Sequence, residues 1–135
     1  MDIVSHAIAG ASAGAVFGRP VLGAVFGVIP DVVLGITRKT APGAAYDVTH
    51  SLLFVLAISL LCAKLDTWAP VLAVLSHIVL DLPTHGSGWA PPLLYPICQR
   101  RFSYGEEWEW FNRSWWRGLV ITIIWSLSCL TISYA

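Results

Sequence analysis

The sequence predicts an all-α fold, a polytopic membrane helix bundle of about five helices forming one domain over residues 1–135. Three observations carry this. Of the 135 residues, 56% are hydrophobic and only 12% charged, about half the charged share of a soluble domain, and the mean hydropathy is +0.70. The apolar residues fall into five runs separated by breaks rich in Pro, Gly and charge. The few titratable residues inside those runs lie near the ends that would share one membrane face. The chain is long enough for one core and too short for two.

The first run, Ile3 to Gly18, contains "AGASAGAVFG", with Gly10, Gly14 and Gly18 spaced by four. Small residues at that interval let a neighbouring helix approach closely. The run has no basic segment ahead of it and contains His6, so it does not read as a cleaved signal peptide. Arg19-Pro20 breaks the chain before the second run, Val21 to Ile36, and "TRKTAPGAA" follows as a loop. The third run is Val48 to Ala63 and the fourth, after Lys64 to Thr67, is Trp68 to Leu82. A long connection, "PTHGSGWAPPLLYPICQRRFSYGEEWEWFNRSWW", leads to the fifth run, Leu119 to Tyr134. Its Trp108, Trp110, Trp115 and Trp116 are expected at the headgroup level. Most runs have 15 or 16 residues, short of the roughly 20 needed for a full crossing. Bilayer thinning, snorkelling basic side chains and mutual packing accommodate such lengths.

If all five runs cross, one face receives Arg38, Lys39, Arg100, Arg101, Arg113 and Arg117, the other only Arg19 and Lys64. The positive-inside rule then places the N-terminus in the cytoplasm and the chain in the inner (cytoplasmic) membrane as a multi-pass protein. Net charge is zero with no basic run, so no nucleic-acid partner is expected. Cys62, Cys98 and Cys129 are scattered and form no C-x-x-C pair, which predicts neither a disulfide framework nor a thiolate metal site.

The same topology sorts the polar residues. His6 opens the first run, Asp31 follows Pro30 near the end of the second, His50 opens the third, and His77 and Asp81 lie late in the fourth. All five fall on the cytoplasmic side, and residues 77 and 81 are one helical turn apart on one face. A single intramembrane histidine is as often a helix–helix hydrogen bond as a ligand. Five titratable groups at one depth point instead to a metal site, because a buried carboxylate is costly unless a cation compensates it. Imidazole with carboxylate and no thiolate suits one or two divalent ions, zinc first, with manganese, nickel or iron also compatible. Pro83 is expected to end the helix and carry His85 out of register, leaving it as an additional ligand, a proton donor or a loop histidine. Ser51 and Ser76 adjoin histidines in sequence but face away from them, so no Ser-His-Asp arrangement is expected.

"SHAIAGASAG", "GVIPDVVLG", "YDVTHSLLF" and "LSHIVLDLPTHGSGWAPPLLYP" resemble, in order and over nearly the whole chain, the motifs of the membrane-bound, metal-dependent hydrolase family (YdjM-like). The H-x-x-x-D-x-P-T-H-G element followed by "PPLLYP" is its most specific part. The resemblance extends distantly to zinc-dependent phospholipase C and the single-strand-specific zinc nucleases. It implies that Asp31, His50, His77 and Asp81 surround one metal, and that His6, with Asp81 bridging, helps hold a second. Two departures stand out. Ala45 and Tyr46 occupy the place of a His-Arg pair found in many members, and no histidine follows His85 to complete a third metal site. Glu106, Glu107 and Glu109 fit a solvated acidic loop better than a substitute ligand.

A metal with an open position lowers the pKa of bound water toward 7 and generates a hydroxide nucleophile. The expected activity is therefore hydrolysis of a phosphate ester, small or lipidic, with Asp31, Asp81 and His85 as the candidate catalytic residues. Arg100, Arg101 and Arg113 around the site either capture an anionic headgroup or serve only as cytoplasmic anchors. The alternative is a small non-enzymatic membrane protein with a structural metal site, closed by protein ligands where a catalytic site keeps water. A transporter would prefer ligands at the bilayer midplane, and these cluster toward one face.

Overall fold

The computed structural model describes residues 1–37, 42–86, 88–104 and 113–134, with the backbone alone for 33–37. Among these residues the chain is all-helical: α1 Ile3–Ala15, α2 Pro20–Thr37, α3 Ala44–Thr49, α4 Leu52–Leu65, α5 Ala69–Thr84 and α6 Trp115–Ser133. Among the described residues only α6 is long and apolar enough, by length and composition, to cross a membrane; α1, α4, α5 and the Pro20–Val32 part of α2 are shorter apolar helices. Glu106, Glu107, Glu109, Trp108, Trp110, Arg38 and Lys39 lie outside the described residues.

α1 is central, packed against α2, α5 and α6, while α5 also contacts α2 and α4. The α1–α2 contact is antiparallel and almost backbone to backbone. A Cβ at Gly23 would lie 2.2 Å from the carbonyl oxygen of Gly10, and one at Gly14 would lie 2.4 Å from that of Arg19. The glycine spacing therefore does what the sequence suggests at Gly10 and Gly14. Gly18 does not take part: it has φ +65° with open space around it and shapes the turn into α2, a conformation that favours glycine.

Two breaks depart from the expected runs. The third run is divided: α3 ends at Thr49, His50 and Ser51 take non-helical angles, and α4 starts only at Leu52. The fourth continues past Pro83 to Thr84. Pro83 costs one ladder hydrogen bond so near the end of the helix that the last turn still closes, with the His85 amide donating to the Asp81 carbonyl at 3.0 Å. His85 thus stays one turn beyond Asp81 rather than out of register.

Burial is partly inverted. Buried polar side chains include His6, His50, His77, Asp81, His85 and Thr84, whereas Leu52, Leu53, Leu56, Leu60 and Leu61 on α4 and Ile123, Ile124 and Leu127 on α6 are exposed. The apolar core is correspondingly small, Ile58, Cys62, Val74 and Ile78 forming one cluster and Ala13, Ala73 and Cys129 another.

Candidate metal centre

The site lies at one end of the bundle, where α1 begins, α2 and α5 end, and the α3–α4 break falls. Each ligand has a local cause. His77 and Asp81 project from one face of α5, Asp31 follows Pro30 in α2, and His50 sits at the break that turns its ring inward. Thr49 Oγ1 donates to the Pro30 carbonyl at 3.1 Å, tying α3 to the turn of α2 that carries Asp31.

Four side-chain atoms face one another. His50 Nε2 is 3.1 Å from His77 Nε2 and 3.5 Å from Asp31 Oδ1. His77 Nε2 is 3.7 Å from the same Asp31 oxygen. Asp81 Oδ2 lies 3.3 Å from His77 Nε2 and 3.6 Å from His50 Nε2. Tetrahedral zinc with bonds of about 2.0–2.1 Å sets its ligand atoms about 3.3 Å apart, close to the separation of the two imidazoles from each other and from each of the two carboxylates. The other oxygen of Asp81, Oδ1, faces His6 Nε2 at 2.9 Å and His85 Nδ1 at 3.3 Å. It also accepts from the Met1 amine at 2.9 Å, and that amine is 2.8 Å from His85 Nε2. Asp81 therefore divides its carboxylate between two groups of imidazoles.

The hydrogen bonds fix which ring nitrogens are free. His77 Nδ1 donates to the Gly27 carbonyl at 2.7 Å and His50 Nδ1 to the Tyr46 carbonyl at 3.0 Å. Both rings are thereby held as tautomers whose Nε2 lone pair points into the cluster, the second-shell arrangement that metal-binding histidines use. Among the described residues, Asp81 Oδ2, both nitrogens of His6 and His85 Nδ1 are buried without a hydrogen-bond partner. Buried polar atoms are rarely left so, and a cation would satisfy Asp81 Oδ2 and one nitrogen of an imidazole beside it. His6 Nε2 is close to Asp81 Oδ1 yet outside hydrogen-bonding geometry, as expected of atoms aimed at a shared point. Among the described residues two His/Asp groups that share His77 could hold a metal ion: His50 with His77 and Asp81, and His6 with Asp31 and His77.

All the sequence-predicted ligands, His6, Asp31, His50, His77 and Asp81, come together, and His85 joins them through Asp81. Asp31 is the most open, its side chain 17% exposed while those of His6, His50, His77 and Asp81 are fully covered. Ser51 and Ser76 bond to the Val48 and Ala73 carbonyls and take no part. Arg101 is not a free anion receptor. Its guanidinium pairs with Asp47 at 2.7 Å and donates to the Ala90 carbonyl at 3.1 Å. Arg100 and Arg113 are exposed.

Sequence reasoning missed the outer support. Gly27 and Tyr46 act through main-chain oxygens, which no residue-type pattern marks. The Tyr46 ring stacks on His50 with centroids 3.7 Å apart. Its hydroxyl donates to the Trp89 carbonyl, and burial pushes that hydroxyl well above the ordinary phenol range, so it remains a donor. The 89–104 connection is pinned to the same end: the Leu52 amide donates to the Leu93 carbonyl, the Tyr104 amide to that of Leu82, and Ser103 Oγ to that of His85. Comparison with protein-family models, with curated proteins and with solved structures finds no match to this chain.

Proposed function

We propose that this chain is a multi-pass membrane protein in which His50, His77, Asp31 and Asp81 hold a divalent ion, zinc by donor set, and that it hydrolyses a phosphate ester. The observation that carries the reading is the Asp81 carboxylate: fully covered, with Oδ2 facing two imidazoles whose tautomers are fixed by Gly27 and Tyr46. Oδ1 pairs with the Met1 amine, but Oδ2 is buried with no hydrogen-bond partner, and a buried charge left incompletely paired is costly unless a further cation compensates it. The leucine stripe left exposed along α4 and the apolar outer face of α6 support contact with lipid on both elements. The resemblance to the membrane-bound metal-dependent hydrolases supports the reaction class.

When bound, the ion supplies Lewis acidity to the ester and to the attacking water. The chain's own residues do the rest. Asp31, on the least covered side of the cluster, borders the approach to the ion. Asp81 presents its second oxygen to His6 and His85, so a further ion there would share that carboxylate. His85 lies on the Oδ1 side of Asp81, 3.3 Å from that oxygen and 2.8 Å from the Met1 amine, and is the candidate for proton exchange at that side of the site.

A second reading, a structural metal that staples α2, α3 and α5, is favoured by one observation: every candidate ligand but Asp31 is fully covered. Zinc-loaded protein in detergent, assayed against a panel of phosphate mono- and diesters including lipids, separates the two. Turnover that disappears with Asp31→Asn supports the hydrolase. A protein that hydrolyses nothing and melts when a chelator removes its zinc is a stapled bundle.

A further inference from the structure

The stacked rings at the site end do not stop at the ligands. His6 stacks on His77 with centroids 3.6 Å apart, His77 meets His50 edge-on at 5.0 Å, His50 stacks on Tyr46, and Tyr46 meets Trp89 edge-on at 5.6 Å. Arg101 lies beside this last pair, its Cζ 6.0 Å from the Tyr46 ring centroid. The same Arg101 is bonded to Asp47, the next residue of α3, and to the Ala90 carbonyl, the next residue after Trp89. α3 and the 89–90 segment are thus joined twice, by the Tyr46 hydroxyl and by the guanidinium, directly behind His50.

We propose that Tyr46, locked by the Asp47–Arg101 pair, is the positioning residue of the metal centre: its carbonyl and ring together fix the His50 imidazole, and the ties to residues 89 and 90 fix Tyr46. The inference rests on the metal reading above. His50 needs such support more than His77 does. His77 sits within α5 and is oriented by its helix, whereas His50 sits in a two-residue break with φ −102° and ψ 20°. Only its neighbours define where its ring points. Arg101 then has a structural duty in place of headgroup capture: a bidentate guanidinium bridging a carboxylate and a carbonyl fixes geometry in a way an ammonium does not.

The test is a titration of the chelator-stripped full chain in detergent with Co²⁺, reading both affinity and the visible d–d bands. Tyr46→Phe, which keeps the ring and the carbonyl but loses the hydroxyl tie to Trp89, is expected to keep the wild-type band positions and to weaken binding by only about threefold, because the guanidinium tie remains. Tyr46→Leu, which keeps the carbonyl but loses the ring, is expected to shift the bands and weaken binding about 10–100-fold, the range for lost outer-sphere partners. Arg101→Gln is expected to shift the bands in the same direction with a smaller loss, about tenfold. If Tyr46→Leu does not fold, Arg101→Gln decides, because the Asp47–Arg101 pair is partly exposed and outside the cluster. Wild-type bands and affinity in Arg101→Gln and in any folded Tyr46→Leu would overturn the proposal while leaving the metal reading intact. A wild-type chain that binds no cobalt would remove both.

Discussion

Asp81→Asn changes one atom at the centre of the cluster and keeps its shape. In the wild type, Asp81 Oδ2 is 3.3 Å and 3.6 Å from the two Nε2 atoms, and Oδ1 is 2.9 Å from His6. With metal bound, the substitution removes a negative charge directly facing the ion. Losing a mere outer-sphere partner costs about 10–100-fold in affinity, so losing this ligand's charge is expected to cost at least about 100-fold, or about 2.8 kcal/mol. Without metal the sign reverses. A carboxylate in such a covered site costs several kcal/mol unless compensated, so the carboxamide is expected to leave the stripped protein as stable as wild type or more so. The assay is zinc competition against a chromophoric chelator, paired with thermal unfolding of stripped and loaded protein. Zinc saturating at 100 times its dissociation constant stabilises wild type by about 2.7 kcal/mol, and the variant should show almost none of that increment. Undiminished zinc affinity would refute the reasoning. So would a stripped variant several kcal/mol less stable than stripped wild type, because Asp81 would then serve chiefly to pair with the Met1 amine, 2.9 Å away.

Asp31→Asn, at the open edge of the cluster, is expected to fold normally, to bind zinc at least about tenfold more weakly and to lose phosphate-ester hydrolysis; metal analysis and the ester panel check this. His85→Gln leaves the four-atom group intact, so zinc affinity by chelator competition should hold within about threefold while turnover falls about 100-fold, the scale of a lost proton-transfer group. Gly27→Ala would place a Cβ 2.6 Å from the His6 carbonyl oxygen and push aside the carbonyl that orients His77. Thermal unfolding should register a loss of about 1–3 kcal/mol from overpacking, together with weaker zinc binding. Reporter fusions in the 37–46 and 86–114 loops should both report the cytoplasm, as the basic-residue count predicts; opposite sides would mean that one of the intervening segments does not cross.

The ligands were legible because burying a charge is costly. His6, Asp31, His50, His77 and Asp81 stood out against apolar runs, and helical spacing placed the last two on one face. The close α1–α2 contact was legible at Gly10 and Gly14 for the same kind of reason, since only a missing Cβ permits it. Three things were not. The break at His50 and Ser51 lies inside an apolar run with no Pro or Gly to announce it, and hydrogen bonds from Ser51 to the Val48 carbonyl and from the Leu52 amide to the distant Leu93 carbonyl sustain it. Pro83 looked like a terminator, yet a proline one turn from a helix end forfeits too little to stop it. Arg101 reads in the sequence as a headgroup receptor or a cytoplasmic anchor, and its partners, Asp47 and the Ala90 carbonyl, are 54 and 11 residues away. Pairings of that kind are set by the tertiary structure and leave no local pattern.

Two imidazoles and two carboxylates converging on one divalent ion is the arrangement from which the rest follows. X-ray absorption at the zinc edge of the loaded protein reads that arrangement without reference to any substrate. The spectrum should show a nitrogen and oxygen shell at about 2.0–2.1 Å, outer-shell scattering from imidazole rings, and no sulfur. A sulfur shell near about 2.3 Å, which only thiolates such as those of Cys62, Cys98 or Cys129 would supply, would contradict it, as would a protein that retains no zinc to measure.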